Sequence, residues 1–173
     1  MMEVNAYSAT HCNDLDGPTQ MSGCGIILIA KHIVEGIYSD KSMSWERRLS
    51  YGLGNSDGYM AELQSAKLAL IAVSVANADV VNFYVAEDAI IDMLDKKSKP
   101  KFKLGGPDYA NNPSIKYASH AAELRRWDGF FASLLIHKIS NSHELMASAS
   151  ALAKSAADNQ KNIDTGTNVV NSI

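Results

Sequence analysis

Met60-Ala61-Glu62-Leu63-Gln64-Ser65-Ala66 sets one carboxylate, Glu62, into an otherwise largely apolar run. A Glu so placed can hold a divalent cation or exchange a proton, and either role needs company. Hard cations such as Mg²⁺ take several oxygen ligands, and a general acid or base must be held within reach of the reacting proton. The available companions are Glu87 and Asp88 after a β-branched run, Asp14 and Asp16 in a polar turn, and Glu144 ahead of an alanine-rich segment. All of them fall in expected loops or at helix ends, where acids are ordinarily just solvated.

A second concentration of chemistry is Lys96, Lys97, Lys99, Lys101 and Lys103 around Phe102. Lysines so spaced fit phosphate contact without sequence readout. The plainer reading is a solvated loop, and the lack of Arg favours it, because Arg is the better bidentate phosphate ligand. His137 reads as a packed or edge histidine. His143 could pass a proton only if metals stood beside it. Ser8, Ser148 and Ser150 have no base identifiably held near them, so no nucleophile is expected. Cys12 and Cys24 are the only cysteines; they read as two reduced thiols, and neither has a zinc-site spacing.

The elements that must position these groups follow from periodicity. Val4–Ala9 alternates weakly, Cys24–Ala30 is a compact β-branched run, and Arg47–Leu53 is a third strand closed by Gly52 and Gly54. Short polar connections make the three an antiparallel meander. From Tyr59 to about Val75 the period changes to that of a helix, capped by Ser56 or Asp57, with Met60, Leu63, Ala66, Leu70 and Val73 on one face. Val80–Ala86 reads as a fourth strand and Glu87–Lys96 as a short helix. Gly105-Gly106-Pro107 and Asn111-Asn112-Pro113 mark 96–117 as a long loop. A helix near Ser119 carries Leu124, Trp127, Phe130 and Phe131, with the tryptophans Trp45 and Trp127 expected as core or interface anchors. Leu134–Ile139 is a fifth strand, and a last helix runs from about Ser142 through Ala156. Residues 159–173 are polar and Asn/Thr-rich, so the domain is placed at 1–158 and followed by a flexible tail.

This order of elements resembles ribonuclease H. Met60–Leu70 resembles the family's first helix with its catalytic Glu; Val81–Leu94 resembles its fourth strand and the helix after it. Glu123–Lys138 is similar to the Trp-bearing helix running into the fifth strand, and Leu152–Ala157 to the closing helix. The resemblance covers residues 4–158. It implies an α/β fold with a five-stranded mixed sheet, three antiparallel strands then two parallel ones, flanked by helices. It also implies a two-metal nuclease site in which several carboxylates hold two cations about 4 Å apart. Carried over position by position, the acids are mostly gone: the first-strand Asp falls at Ala9, the fourth-strand Asp at Ala86, and the last-helix Asp at Ser150. Strand parity puts Ala86 at the catalytic position and Glu87 on the opposite face unless a bulge intervenes. Glu62 is left as a vestige. The turn ahead of it, Ser56-Asp57-Gly58-Tyr59, also departs from the family's Asn-bearing segment.

The bulk composition bounds the rest. A chain of 173 residues with 46% hydrophobic content can bury one core. The longest apolar stretch, Leu68–Val81, is interrupted by Ser74, Asn77 and Asp79 and falls short of the roughly 20 residues of a membrane span. Met1–Asn5 has no signal-peptide character, so an intracellular, by default cytoplasmic, protein is expected. A net charge of -3 argues against nucleic-acid binding by bulk counterion release, although a local patch can act. The expected function is a catalytically inactive ribonuclease H-like module, a scaffold or adaptor for a protein partner with weak nucleic-acid contact and no cofactor. The alternatives are a divergent Mg²⁺- or Mn²⁺-dependent nuclease built from Glu62, Glu87 or Asp88, and Glu144, and a non-catalytic nucleic-acid binder using the lysine loop.

Overall fold

Three long strands open the chain, each with one face committed to burial. In the computed structural model, which describes residues 1–13, 20–32, 43–87, 90–91, 120, 122–124 and 126–170, they are β1 (Met2–Asn13), β2 (Met21–His32) and β3 (Met43–Gly54). They pair antiparallel in sequence, with Ala6 opposite Leu28 and Leu28 opposite Arg47. Period-two alternation sends Val4, Ala6, Ile26, Leu28 and Leu49 into the main core and Tyr7, Ala9 and Ile27 into a smaller one on the opposite face.

Helix α1 (Gly58–Val75) fills the main core. Its start is set by Asp57, whose Oδ1 accepts from the Met60 amide at 2.8 Å. It ends at Ala76, and Asn77 then takes a left-handed φ of 54° that turns the chain back. Strand β4 (Val80–Val85) returns parallel to β1, with Phe83 beside Ala6. A 3₁₀ turn at Trp127–Gly129 leads to β5 (Ser133–Lys138), parallel to β4. Trp127 stacks on Phe131 and, with Trp45, packs against the main core.

Helix α2 (Glu144–Asn159) covers the other face of the sheet and reaches it because β2 carries two glycines there. A Cβ on Gly25 would stand 2.0 Å from the Ala149 carbonyl oxygen, and one on Gly23 would stand 2.4 Å from that of Ala153. The Ala149, Ala153, Ala156 and Ala157 face of α2 therefore rests directly on the strand backbone.

Among the described residues the sheet has six strands, in the order β5-β4-β1-β2-β3-β6, rather than the five expected. The sixth, β6 (Ile163–Val170), lies within the segment expected as a flexible tail and pairs antiparallel with β3, Arg47 facing Gly166. Polarity hid a two-residue alternation of β-branched residues, Ile163, Thr165, Thr167 and Val169, which suits an edge strand. Gln160 steers the chain there. In a left-handed conformation at the end of α2, its amide group donates to the Ser22 carbonyl at 3.0 Å and accepts from the Gly54 amide at 2.8 Å. No helix is long and apolar enough to cross a membrane, among the described residues.

Candidate active site

The β1–β4 ladder stops at Tyr7 and Tyr84, while β1 continues to Asn13 beside β2. Beyond that last pair a hollow of about 200 Å³ opens, lined on the β1 side by Ser8, Ala9, Thr10 and His11 and on the β4 side by Val85, Ala86 and Glu87. Helix α1 contributes Glu62, Ser65 and Ala66, α2 contributes Ser150, and the turn between β5 and α2 contributes Asn141. A crevice at the carboxyl end of parallel strands is the usual ligand position of an open α/β sheet.

Ala9, Glu62, Ala86 and Ser150, four positions far apart in sequence, thus line one hollow. Glu87 joins them. Strand parity had set it on the opposite face, but β4 ends at Val85, so alternation no longer dictates where residue 87 points. Burial, and secondarily the charge of Glu87, push the Glu62 carboxyl up to about 7. Ser8 and Ser65 share a hydroxyl hydrogen bond of 2.5 Å in the wall. Burial likewise pushes the neighbouring Cys24 thiol up to about 11, which keeps it an uncharged thiol.

Glu144 is not brought to this site. It sits in the exposed first turn of α2, where a carboxylate complements the helix N-terminus. Asp14, Asp16, Asp88 and Lys96, Lys97, Lys99, Lys101 and Lys103 lie outside the described residues. Asn141 was not foreseen in sequence. Its signal is topological: β5 runs parallel to β4, so the turn that leaves β5 must arrive at the same end of the sheet.

A second unforeseen feature adjoins the hollow. Register places Tyr7, Tyr84 and His137 side by side on three adjacent strands. Tyr7 and Tyr84 stack with centroids 4.6 Å apart and planes 7° from parallel, and His137 stacks on Tyr84 at 4.9 Å. His143 closes the row on Tyr7 at 5.8 Å, while its Nδ1 accepts from the Leu145 amide as the cap of α2. His137 Nε2 also pairs with Asn82 Oδ1 at 3.3 Å, and Asn82 donates to Glu3 and Asn5. Both histidines are therefore structural partners of the sheet. Tyr7 and Tyr84 each precede a lining alanine by two residues, so the row continues the site's floor on the same face.

The donors fit hydrogen bonding better than a metal pair. Hydroxyls of Ser8, Thr10, Ser65 and Ser150, the Asn141 amide and methyls of Ala9, Ala66 and Ala86 dominate the lining. Two divalent cations need several carboxylate oxygens, whereas Ala9, Ala86 and Ser150 bring methyls and a hydroxyl to the hollow beside Glu62 and Glu87. Among the described residues no three His, Cys, Asp or Glu side chains converge on a possible metal position.

A mixed sheet with a three-strand meander, two parallel strands added at its β1 edge, helices α1 and α2 on opposite faces and a crevice at the ends of β1 and β4 defines a ribonuclease H-like fold. Solved structures bear this out at low identity. The chain is similar to RNase H1 of the halophilic archaeon Halobacterium salinarum, with 17% identity, a TM-score of 0.58, and coverage of 90% of this chain and 98% of that one. It is similar to LC9-RNase H1, described as a type 1 RNase H with the type 2 active-site motif, at 16% identity, a TM-score of 0.65, and coverage of 94% and 77%. It is also similar to a foamy viral protease-reverse transcriptase solved with an RNA/DNA hybrid, at 13% identity and a TM-score of 0.54, covering 90% of this chain and 20% of that one. No family model and no curated protein matches the sequence.

Proposed function

We propose that this chain is a ribonuclease H-like module that keeps the shape of the nuclease site without its two-metal chemistry, and that it acts as a non-catalytic scaffold or adaptor for a protein partner. The observation that supports this reading is the make-up of the hollow. Ala9, Ala86 and Ser150 occupy it, and the only carboxylates among its described lining residues are Glu62 and Glu87. Removing acids from a partly buried site relieves repulsion, so such replacements favour the fold once catalysis is not selected.

The presence of Glu87 in the hollow favours a second reading, a divergent Mg²⁺- or Mn²⁺-dependent nuclease using Glu62 and Glu87. Incubating the protein with RNA–DNA hybrid, duplex DNA and a branched junction in Mg²⁺ or Mn²⁺ separates the two. The first reading expects all three substrates intact. Cleavage that Glu62→Gln abolishes would overturn it in favour of the second.

A further inference from the structure

The two edges of the sheet differ in how they are protected. Strand β5 is six residues long and ends in Lys138. Strand β6 is eight residues long, contains no Lys, Arg or Pro, and has one acid, Asp164. That acid is already held by Arg47 through two hydrogen bonds of 2.9 and 2.6 Å, so the edge presents little free charge. Soluble proteins usually guard a sheet edge with lysine, proline, a bulge or a covering element. Among the described residues no strand pairs with the outer edge of β6, and residues 161–166 are exposed.

The sequence of β6 reads nearly the same in both directions about Gly166: Ile163-Asp164-Thr165-Gly166-Thr167-Asn168-Val169. Antiparallel pairing of two copies with the two-fold axis at Gly166 sets each Ile163 opposite a Val169 and each Asp164 opposite an Asn168. Each Thr165 then lies opposite a Thr167, and glycine meets glycine. Apolar residues oppose apolar ones, threonines oppose threonines, and no acid opposes an acid. These are the combinations that stabilise cross-strand pairs. The same point lies beside an open groove of about 270 Å³ that Gly166 shares with Trp45, Val75 and Ala76 and with the charged Glu46 and Arg47; Val75 is 68% exposed.

We propose that β6 is a dimerisation strand, through which a second copy of this chain adds edge to edge and joins two six-stranded sheets into one. The interface is isologous, as a two-fold requires, and its specificity lies in the palindromic register. It does not depend on whether the hollow is catalytic.

Sedimentation equilibrium of the full chain at tens of micromolar tests it, with near-ultraviolet circular dichroism as the control for folding. The wild type is expected to be a dimer. The double variant T165K/T167K places lysine opposite lysine twice and weakens association by about tenfold or more. The variant T165K/T167E carries the same number of changes but places lysine opposite glutamate, so it restores the dimer at low salt and loses it as salt rises. A monomeric wild type, a lysine/lysine variant that associates like the wild type, or a lysine/glutamate variant no better than the lysine/lysine one overturns the proposal.

Discussion

Glu62 concentrates the chemistry of the site in one titratable group. Its carboxyl is raised from 4.5 to about 7, so the folded state holds the proton more tightly than the unfolded chain does. Stability contributed by the protonated form is therefore fully present below about pH 4.5 and is lost as pH rises toward 7. Replacing Glu62 by Gln removes that loss. The expected result is a variant about 1 kcal/mol more stable than wild type at pH 8, after discounting for solvent screening at this partly exposed group, and equal to it at pH 4. Urea unfolding at the two pH values measures it, and an equal difference at both would show that ionisation of Glu62 is not the cause. Glu62 is singled out by the resemblance of Met60–Leu70 to the first helix of ribonuclease H, since an acid in an apolar helical run is by itself common. Strand parity sets its companion Glu87 on the opposite face, whereas it lines the hollow, because β4 ends two residues before it.

At the scale of elements, α2 carries Ser150 to the hollow only because Gly23 and Gly25 let alanines lie on the β2 backbone. A side chain at residue 25 meets backbone atoms, which cannot swing aside. Gly25→Val is expected to cost about 3 kcal/mol or more and to lift α2 from the sheet. Chemical denaturation reads the cost, and loss of protection in the Ala149–Ala157 amides by hydrogen exchange reads the displacement. A change under about 1 kcal/mol would contradict the close approach. The strands and helices themselves were largely legible, since hydrophobic period is a local property: the expected α1 start agrees with the structure to within one residue, and of the two expected caps, Ser56 and Asp57, the structure uses Asp57. Strand β6 was not, because its threonines and asparagine resemble a solvated tail until β3 supplies the partner that makes them a strand.

The whole molecule brings Ala9, Ala86, Glu62 and Ser150 together from β1, the residue after β4, and two helices. If these positions correspond to those of a two-metal site, restoring the acids should restore the metal. The triple variant A9D/A86D/S150D is expected to be less stable than wild type without metal, because three carboxylates then crowd Glu62. Saturating Mn²⁺ should raise its melting temperature by about 5–10 °C while leaving wild type unchanged, as expected for a ligand at roughly a hundred times its dissociation constant. Calorimetric absence of Mn²⁺ binding in the folded variant would remove the correspondence.

The sequence alone determined the alternation of the first three strands, the approximate span of α1 and the residue types available to any site. Each depends on near neighbours along the chain. Only the tertiary structure decided that Glu87 and Asn141 reach the hollow, that Tyr7, Tyr84, His137 and His143 stack in one row, and that 163–170 closes the sheet. Those features are made by strand pairing and helix docking between distant segments, and no local period records which strand will lie beside which.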